Sequence, residues 1–188
     1  MKRSLFAVIV LLAAGCQGDD GNRSDSNAVG GKTAAKGEQP KAHLLDALGG
    51  SADHKTLANA VKAAGLNETL SGAQPYTLFA PTEAAFGKLA PGTANGLLAP
   101  DAKGQLVALL TGHIVPGVVT AADLGKAIDR GKGKAQLATV GGSNLSFAKD
   151  GGSIVVTDAA GGRALVTGAE RLASNGVVHS VDGVLSGK

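Results

Sequence analysis

The 188-residue chain has no tryptophan, one tyrosine, four phenylalanines and one methionine. Large side chains therefore cannot fill its interior, and a core must be assembled from alanine, valine and leucine within the 44% of residues that are hydrophobic. Cys16 is the only cysteine, which excludes an intrachain disulfide. Four histidines, His43, His54, His113 and His179, give a zinc or redox site little to draw on, and no H-x-x-x-H or paired-carboxylate spacing accompanies them. No metal and no cofactor is expected. A G-x-S-x-G elbow is missing, and so is a phosphate loop of the form Gly-x-x-x-x-Gly-Lys-Ser/Thr. No apolar run approaches the about 20 residues of a membrane-spanning helix.

Charge of one sign is also scarce. The formal net charge is +3, and setting aside Lys2 and Arg3, which belong to a leader segment, leaves 16 basic against 15 acidic residues. That balance gives no electrostatic case for a nucleic-acid partner. What the chain has in quantity is glycine, 29 residues of it, which implies many turns.

Three regions follow from composition. In residues 1–15, Lys2 and Arg3 precede an apolar run from Leu5 to Ala14, the pattern of a secretory signal. Its end, Leu12-Ala13-Ala14-Gly15-Cys16, resembles the bacterial lipobox, with Ala13 where that motif usually has leucine. The resemblance implies cleavage before Cys16, lipid on its sulfur and new amino group, and anchorage to a membrane. Gln17 rather than Asp after the cysteine is similar to lipoproteins sent to the outer membrane, so an exported protein of the cell envelope is expected. Residues 16–40 are rich in Gly, Ser, Asn, Asp and Lys and too poor in apolar groups to fold. As a flexible coil they span roughly 25 to 30 Å and read as a tether. Residues 41–188 form the folded domain.

Within that domain, Leu44, Leu45 and Leu48 make one small helical face. Leu57, Ala60, Val61 and Ala64 repeat at helical spacing, with Asp53 as candidate cap and Gly65 as terminator. Three of the five aromatic residues fall between Tyr76 and Phe86. Tyr76 to Ala80 carries apolar groups on both faces, which predicts a strand covered on both sides. Pro81 stops it, and Thr82 caps a short helix beyond. Ala102, Leu106, Leu109 and Leu110 predict a further helix, and Thr120 to Asp123 has capping-box spacing. Glycine pairs at 141–142, 151–152 and 161–162 separate four short strand-like runs between Ala135 and Thr167, which predicts an antiparallel meander. A last strand is read over Val177 to Leu185. Helices first and strands later make an α+β domain.

Three blocks carry a family resemblance. Tyr76 to Leu89, YTLFAPTEAAFGKL, resembles the first signature of the fasciclin (FAS1) domain, and Asn175 to Leu185, NGVVHSVDGVL, resembles the second. Leu109 to Gly117, LLTGHIVPG, resembles the central box between them. The resemblance implies the FAS1 fold, a wedge-like antiparallel β-sandwich with several short helices packed around it. It implies core positions for the strand at Tyr76 and the final strand. It singles out Phe79, Ala80, Pro81, Thr82, Phe86, His113, Pro116, Gly117, Asn175, Gly176, His179 and Asp182 as signature residues, mainly structural. It further implies a non-enzymatic role in adhesion or surface interaction, with a protein or polysaccharide partner. Integrin contact, tied in animal members to a Tyr-His pair, is not carried over: the pair here is Gly112-His113, and no Arg-Gly-Asp occurs.

Two rivals stand beside that reading. A small lipid or sugar carried in a groove of the domain is one. Hydrolysis is the other, because His179, Ser180 and Asp182 contain the letters of a catalytic triad; on one strand, however, His179 points opposite to the other two, and no relay forms. Arg130, Lys132 and Lys134, with Lys126 nearby, read as a solvated turn, with an anionic glycan or headgroup as the sharper alternative.

Overall fold

The computed structural model describes residues 42–90 and 92–186; the leader, Cys16 and the whole of the expected tether lie outside them. The helices are α1 (Leu44–Gly49), α2 (Lys55–Ala64), α3 (Asn67–Ser71), α4 (Glu83–Gly87), α5 (Thr93–Leu97), α6 (Lys103–Thr111) and α7 (Ala121–Arg130). The strands are β1 (Tyr76–Pro81), β2 (Ile114–Pro116), β3 (Lys134–Ala138), β4 (Asn144–Asp150), β5 (Ser153–Thr157), β6 (Arg163–Ala173) and β7 (Gly176–Val181).

Local chemistry accounts for many of the boundaries. α2 buries Leu57, Ala60, Val61 and Ala64 on one face and ends at Gly65, whose φ of 78° is the left-handed cap that glycine supplies without a Cβ penalty. Thr82 accepts the Ala85 N–H at 3.3 Å and starts α4, and Thr120 accepts the Asp123 N–H at 3.2 Å and starts α7. Asp53 is not the cap of α2. It lies in a short 3-10 turn, Ala52–His54, and the carboxylate that serves the first turn of α2 is Glu83 of α4, which accepts the Thr56 N–H at 2.6 Å and the Thr56 hydroxyl at 2.7 Å. A carboxylate brought from 27 residues downstream thus does the work expected of a neighbour.

The strands form a seven-stranded sheet in the order β2-β1-β7-β6-β5-β4-β3. β3 to β6 make the antiparallel meander, and among the described residues β1 with β7 is the one parallel pair, with Phe79 beside His179 and Leu78 beside Val178. β6 turns the corner. Its first residues pair with β5, its remainder pairs with β7, and the register shifts between Thr167 and Arg171, where Gly168 has a φ of 75°. Beyond β3, the Val140 N–H donates to the Ile114 carbonyl of β2 at 2.8 Å, so the two ends of the sheet nearly meet. The final strand ends at Val181 rather than Leu185, and Asp182 and Gly183 turn away from it.

Two hydrophobic cores result. Leu78 and Ala80 of β1 and Val178 of β7 face the helices, packing with Leu44, Leu48, Leu57, Val61, Leu70, Leu106 and Leu110. Phe79 and Val181 face the other way, into a core with Val115, Leu124, Ile128, Leu145, Phe147, Val156 and Leu185. The rings of Phe79 and Phe147 lie 5.1 Å apart, so β1 and β4 close over one another as the two layers of a sandwich.

Candidate functional site

The signature residues gather into three clusters around the β1–β7 pair. At its beginning, the Asn175 side chain is buried and fully engaged: its Oδ1 accepts the Leu44 N–H at 2.9 Å, and its amide donates to the carbonyls of Leu70 at 2.7 Å and Gly72 at 2.9 Å. One side chain therefore joins α1, the end of α3 and the start of β7. Gly176 beside it has no room for a side chain, because a Cβ there would run into the Tyr76 carbonyl.

Midway along the pair, the His179 ring stacks on Phe79 with centroids 5.4 Å apart and planes 20° off parallel. Its Nε2–H donates to the Val119 carbonyl at 2.8 Å. The Thr77 hydroxyl takes the Val119 N–H at 2.8 Å and donates to the Gly117 carbonyl at 2.8 Å, so both strands clamp the loop after Pro116. Gly117 has a φ of 94°, which permits that loop to leave β2.

The third cluster lies after β7. His113 is fully buried; its Nδ1–H donates to the Leu109 carbonyl at 2.8 Å, and its Nε2 accepts the Leu185 N–H at 3.0 Å, a pattern only the neutral ring can make. Burial holds its pKa below the ordinary value of 6.5, outweighing the Leu109 bond and the nearby charge of Asp158. Asp158, which no sequence motif marked, is also buried. It accepts the Gly162 N–H at 2.6 Å, the Ser186 N–H at 2.6 Å and the Ser186 hydroxyl at 2.8 Å. Burial pushes its pKa upward, but these bonds prevail and hold it below the usual carboxylate value.

The letters of a triad are not brought together. His179 is committed to Val119, and Ser180 lies on the opposite face of β7. The Asp182 carboxylate accepts the Leu165 N–H at 2.6 Å and meets the Lys88 ammonium at 3.0 Å; the Leu165 bond, with help from Lys88, depresses its pKa. Arg130, Lys132 and Lys134 at the turn after α7 are exposed, and acid sits on the helix beside them: Lys126 of α7 lies 3.9 Å from Asp123, and Lys149 of β4 lies 2.6 Å from Asp129. Among the described residues, no group of His, Cys, Asp and Glu is arranged to hold a metal ion.

What the arrangement leaves open is a groove of about 490 Å³. Leu97 and Leu109 line it from α5 and α6, Leu89 from the turn after α4, Val184 and Leu185 from the strap after β7, and Thr93, Gln105 and Ser186 supply its polar edge. These residues are too scattered in the sequence for any spacing rule to have joined them. Beneath, an enclosed apolar void between α2, α4 and α6 measures only about 10 Å³, room for one water at most.

The model of the fasciclin domain matches residues 52–187. Protein sll1483 of Synechocystis is 39% identical over 142 residues, covering 76% of this chain and 72% of that protein. The pig transforming growth factor-beta-induced protein ig-h3 is 31% identical over 146 residues, 78% of this chain but 19% of that much longer protein. Among solved structures, a FAS1 domain pair from the insect cell adhesion molecule fasciclin I superposes with a TM-score of 0.67 at 21% identity, over 77% of this chain and 51% of the other. A bent and nearly closed sheet sheathed in short helices, together with these matches, makes the chain a member of the fasciclin domain family, with the FAS1 fold.

Proposed function

We propose that this protein is a non-enzymatic interaction module working outside the cytoplasm, tethered to the cell envelope through lipid on Cys16 and binding a protein or polysaccharide at a surface. The observation that carries the non-enzymatic part is the occupation of the polar side chains around the β1–β7 pair: the signature residues His113, His179, Asn175 and Asp182 spend their polar atoms on main-chain partners or a surface ion pair, and Asp158 spends its own on the Gly162 and Ser186 amides and the Ser186 hydroxyl. A catalyst needs a nucleophile and a base free to meet a substrate. Kinship with a cell adhesion molecule supports the adhesive part. The Lys2-Arg3 start, the apolar run from Leu5 to Ala14 and the lipobox-like end at Cys16 support export and anchorage.

A second reading, a carrier of a small lipid or sugar, is favoured by the groove between α5, α6 and the strap, whose volume falls in the range of ligand sites. Binding of the purified chain to intact cells, envelope fractions and extracted polysaccharide, with a heat-unfolded control and a salt series, separates the two. Saturable, fold-dependent binding to one fraction supports adhesion. Binding to none, with a small molecule found by mass spectrometry in the purified protein, overturns it in favour of the carrier.

A further inference from the structure

We infer that the strap Val184–Ser186 is an acid-released cover on the apolar interior, fastened to the domain by His113 and Asp158. The hydrogen bonds that hold residues 184–186 among the described residues are three, and all end on those two side chains: Leu185 N–H to His113 Nε2, and Ser186 N–H and hydroxyl to Asp158 Oδ2. Protonation removes the first acceptor and weakens the second. A protonated imidazole presents N–H toward the Leu185 N–H, and a protonated Asp158 can no longer receive both Ser186 donors at full strength.

Both fasteners therefore fail in the same direction, at different points. Burial holds the His113 pKa below its ordinary 6.5, and with the Leu185 N–H facing Nε2 the closed strap accepts only the neutral ring, so the closed state gains from high pH and begins to lose ground as pH falls through 6.5. The Ser186 bonds help to hold the Asp158 pKa below 3.8 against its burial, so that contribution is present above 3.8 and is lost as pH falls further. The charged group facing His113 is Asp158 itself. Nearby cations are engaged elsewhere, Arg163 with Asp150 at 3.8 Å and Lys88 with Asp182 at 3.0 Å, and the helical side contributes the uncharged Leu109 carbonyl.

The strap also carries something worth covering. Leu185 is completely buried in the core that contains Phe79, while Val184 and Ser186 form one wall of the groove. Release withdraws a leucine from that core and removes the wall, so the apolar surface available to a partner grows with acidity. Burial of Leu185 opposes release, and this makes the opening local and graded in place of a global collapse.

Amide exchange on the 15N-labelled chain, followed by NMR from about pH 7.5 to about pH 4 and corrected for intrinsic rates, tests this directly. Protection of the Leu185 and Ser186 amides should fall about tenfold between pH 7 and pH 5, the loss of roughly one net hydrogen bond, while Phe79 and Val156 stay protected. His113→Gln keeps an acceptor that does not titrate and should abolish that fall. Asp158→Ala removes the acceptor of both Ser186 donors and should leave the strap fast-exchanging even at neutral pH. Constant protection of Leu185 across the range, or a fall shared in step with Phe79, overturns the proposal, as does a folded Asp158→Ala strap that exchanges like the original. The wild-type series decides the matter even where a variant fails to fold.

Discussion

Replacing Phe79 by alanine removes the ring on which the sandwich closes. Phe79 is fully buried, contacts Phe147 of the opposite layer at 5.1 Å between centroids, and carries the His179 ring at 5.4 Å on its other side. Phe147 is held in its own strand and His179 by its bond to Val119, and the other residues of this core are aliphatic, so little can collapse into the space. The loss should therefore sit in the usual range for a buried phenylalanine, about 3 to 5 kcal/mol, with the two ring contacts placing it toward the upper end. For a domain of this size the melting midpoint should fall by about 6 to 20 °C. Thermal and urea unfolding followed by circular dichroism measure both quantities, and Phe79→Leu, which retains most of the volume, should cost clearly less. A loss under about 1 kcal/mol in Phe79→Ala would refute the claim that this ring joins the layers.

Asn175→Ala strands the Leu44 N–H and the Leu70 and Gly72 carbonyls together, and should cost about 3 kcal/mol or more in urea unfolding. Gly176→Ala drives a methyl group into the Tyr76 carbonyl and should destabilise the domain at least as much, visible as reduced soluble yield and a lower midpoint. Lys88→Ala breaks an exposed contact to Asp182 and should shift stability by under about 1 kcal/mol. Acidification should weaken the fold in two stages, below about pH 6.5 through His113 and the likewise buried His54, whose pKa burial also lowers, and below about 3.8 through Asp158; His113→Gln should shrink the upper stage of a stability-against-pH curve without removing it. A fluorophosphonate probe should leave Ser180 unlabelled in the native protein, as read by mass spectrometry.

Features governed by neighbours in sequence were legible there. Apolar groups on both sides of Tyr76 to Ala80 announced a strand between two cores, and Thr82, Gly65 and Thr120 marked helix ends by their own chemistry. Glycine pairs located the hairpins of the meander. What escaped was set by distance. β6 runs on to Ala173 because β7 pairs with it past an irregularity at Gly168, a partnership that polar Thr167, Glu170 and Arg171 do not advertise. Asp158 has no motif because its partner Ser186 lies 28 residues downstream. The cap of α2 was assigned to nearby Asp53 because Glu83 approaches only after the helices pack. The groove has no sequence signature at all, since its walls come from three separate stretches and mix buried Leu185 with half-buried leucines and exposed polar residues.

The parallel pairing of Tyr76 with Gly176 bears on how the molecule is made. These partners are separated by a hundred positions, and the helical core leans on Val178 from the later strand. Closing so long a loop must precede the contacts that reward it, which makes the folding rate slow for a chain of this length. A polypeptide emerging with its amino end first has helices and a hairpin meander but no completed interior until residues 176–181 arrive. Until then the apolar faces of Leu78 and Phe79 remain open to other chains, and the interval before the last strand docks is when aggregation competes most strongly with folding.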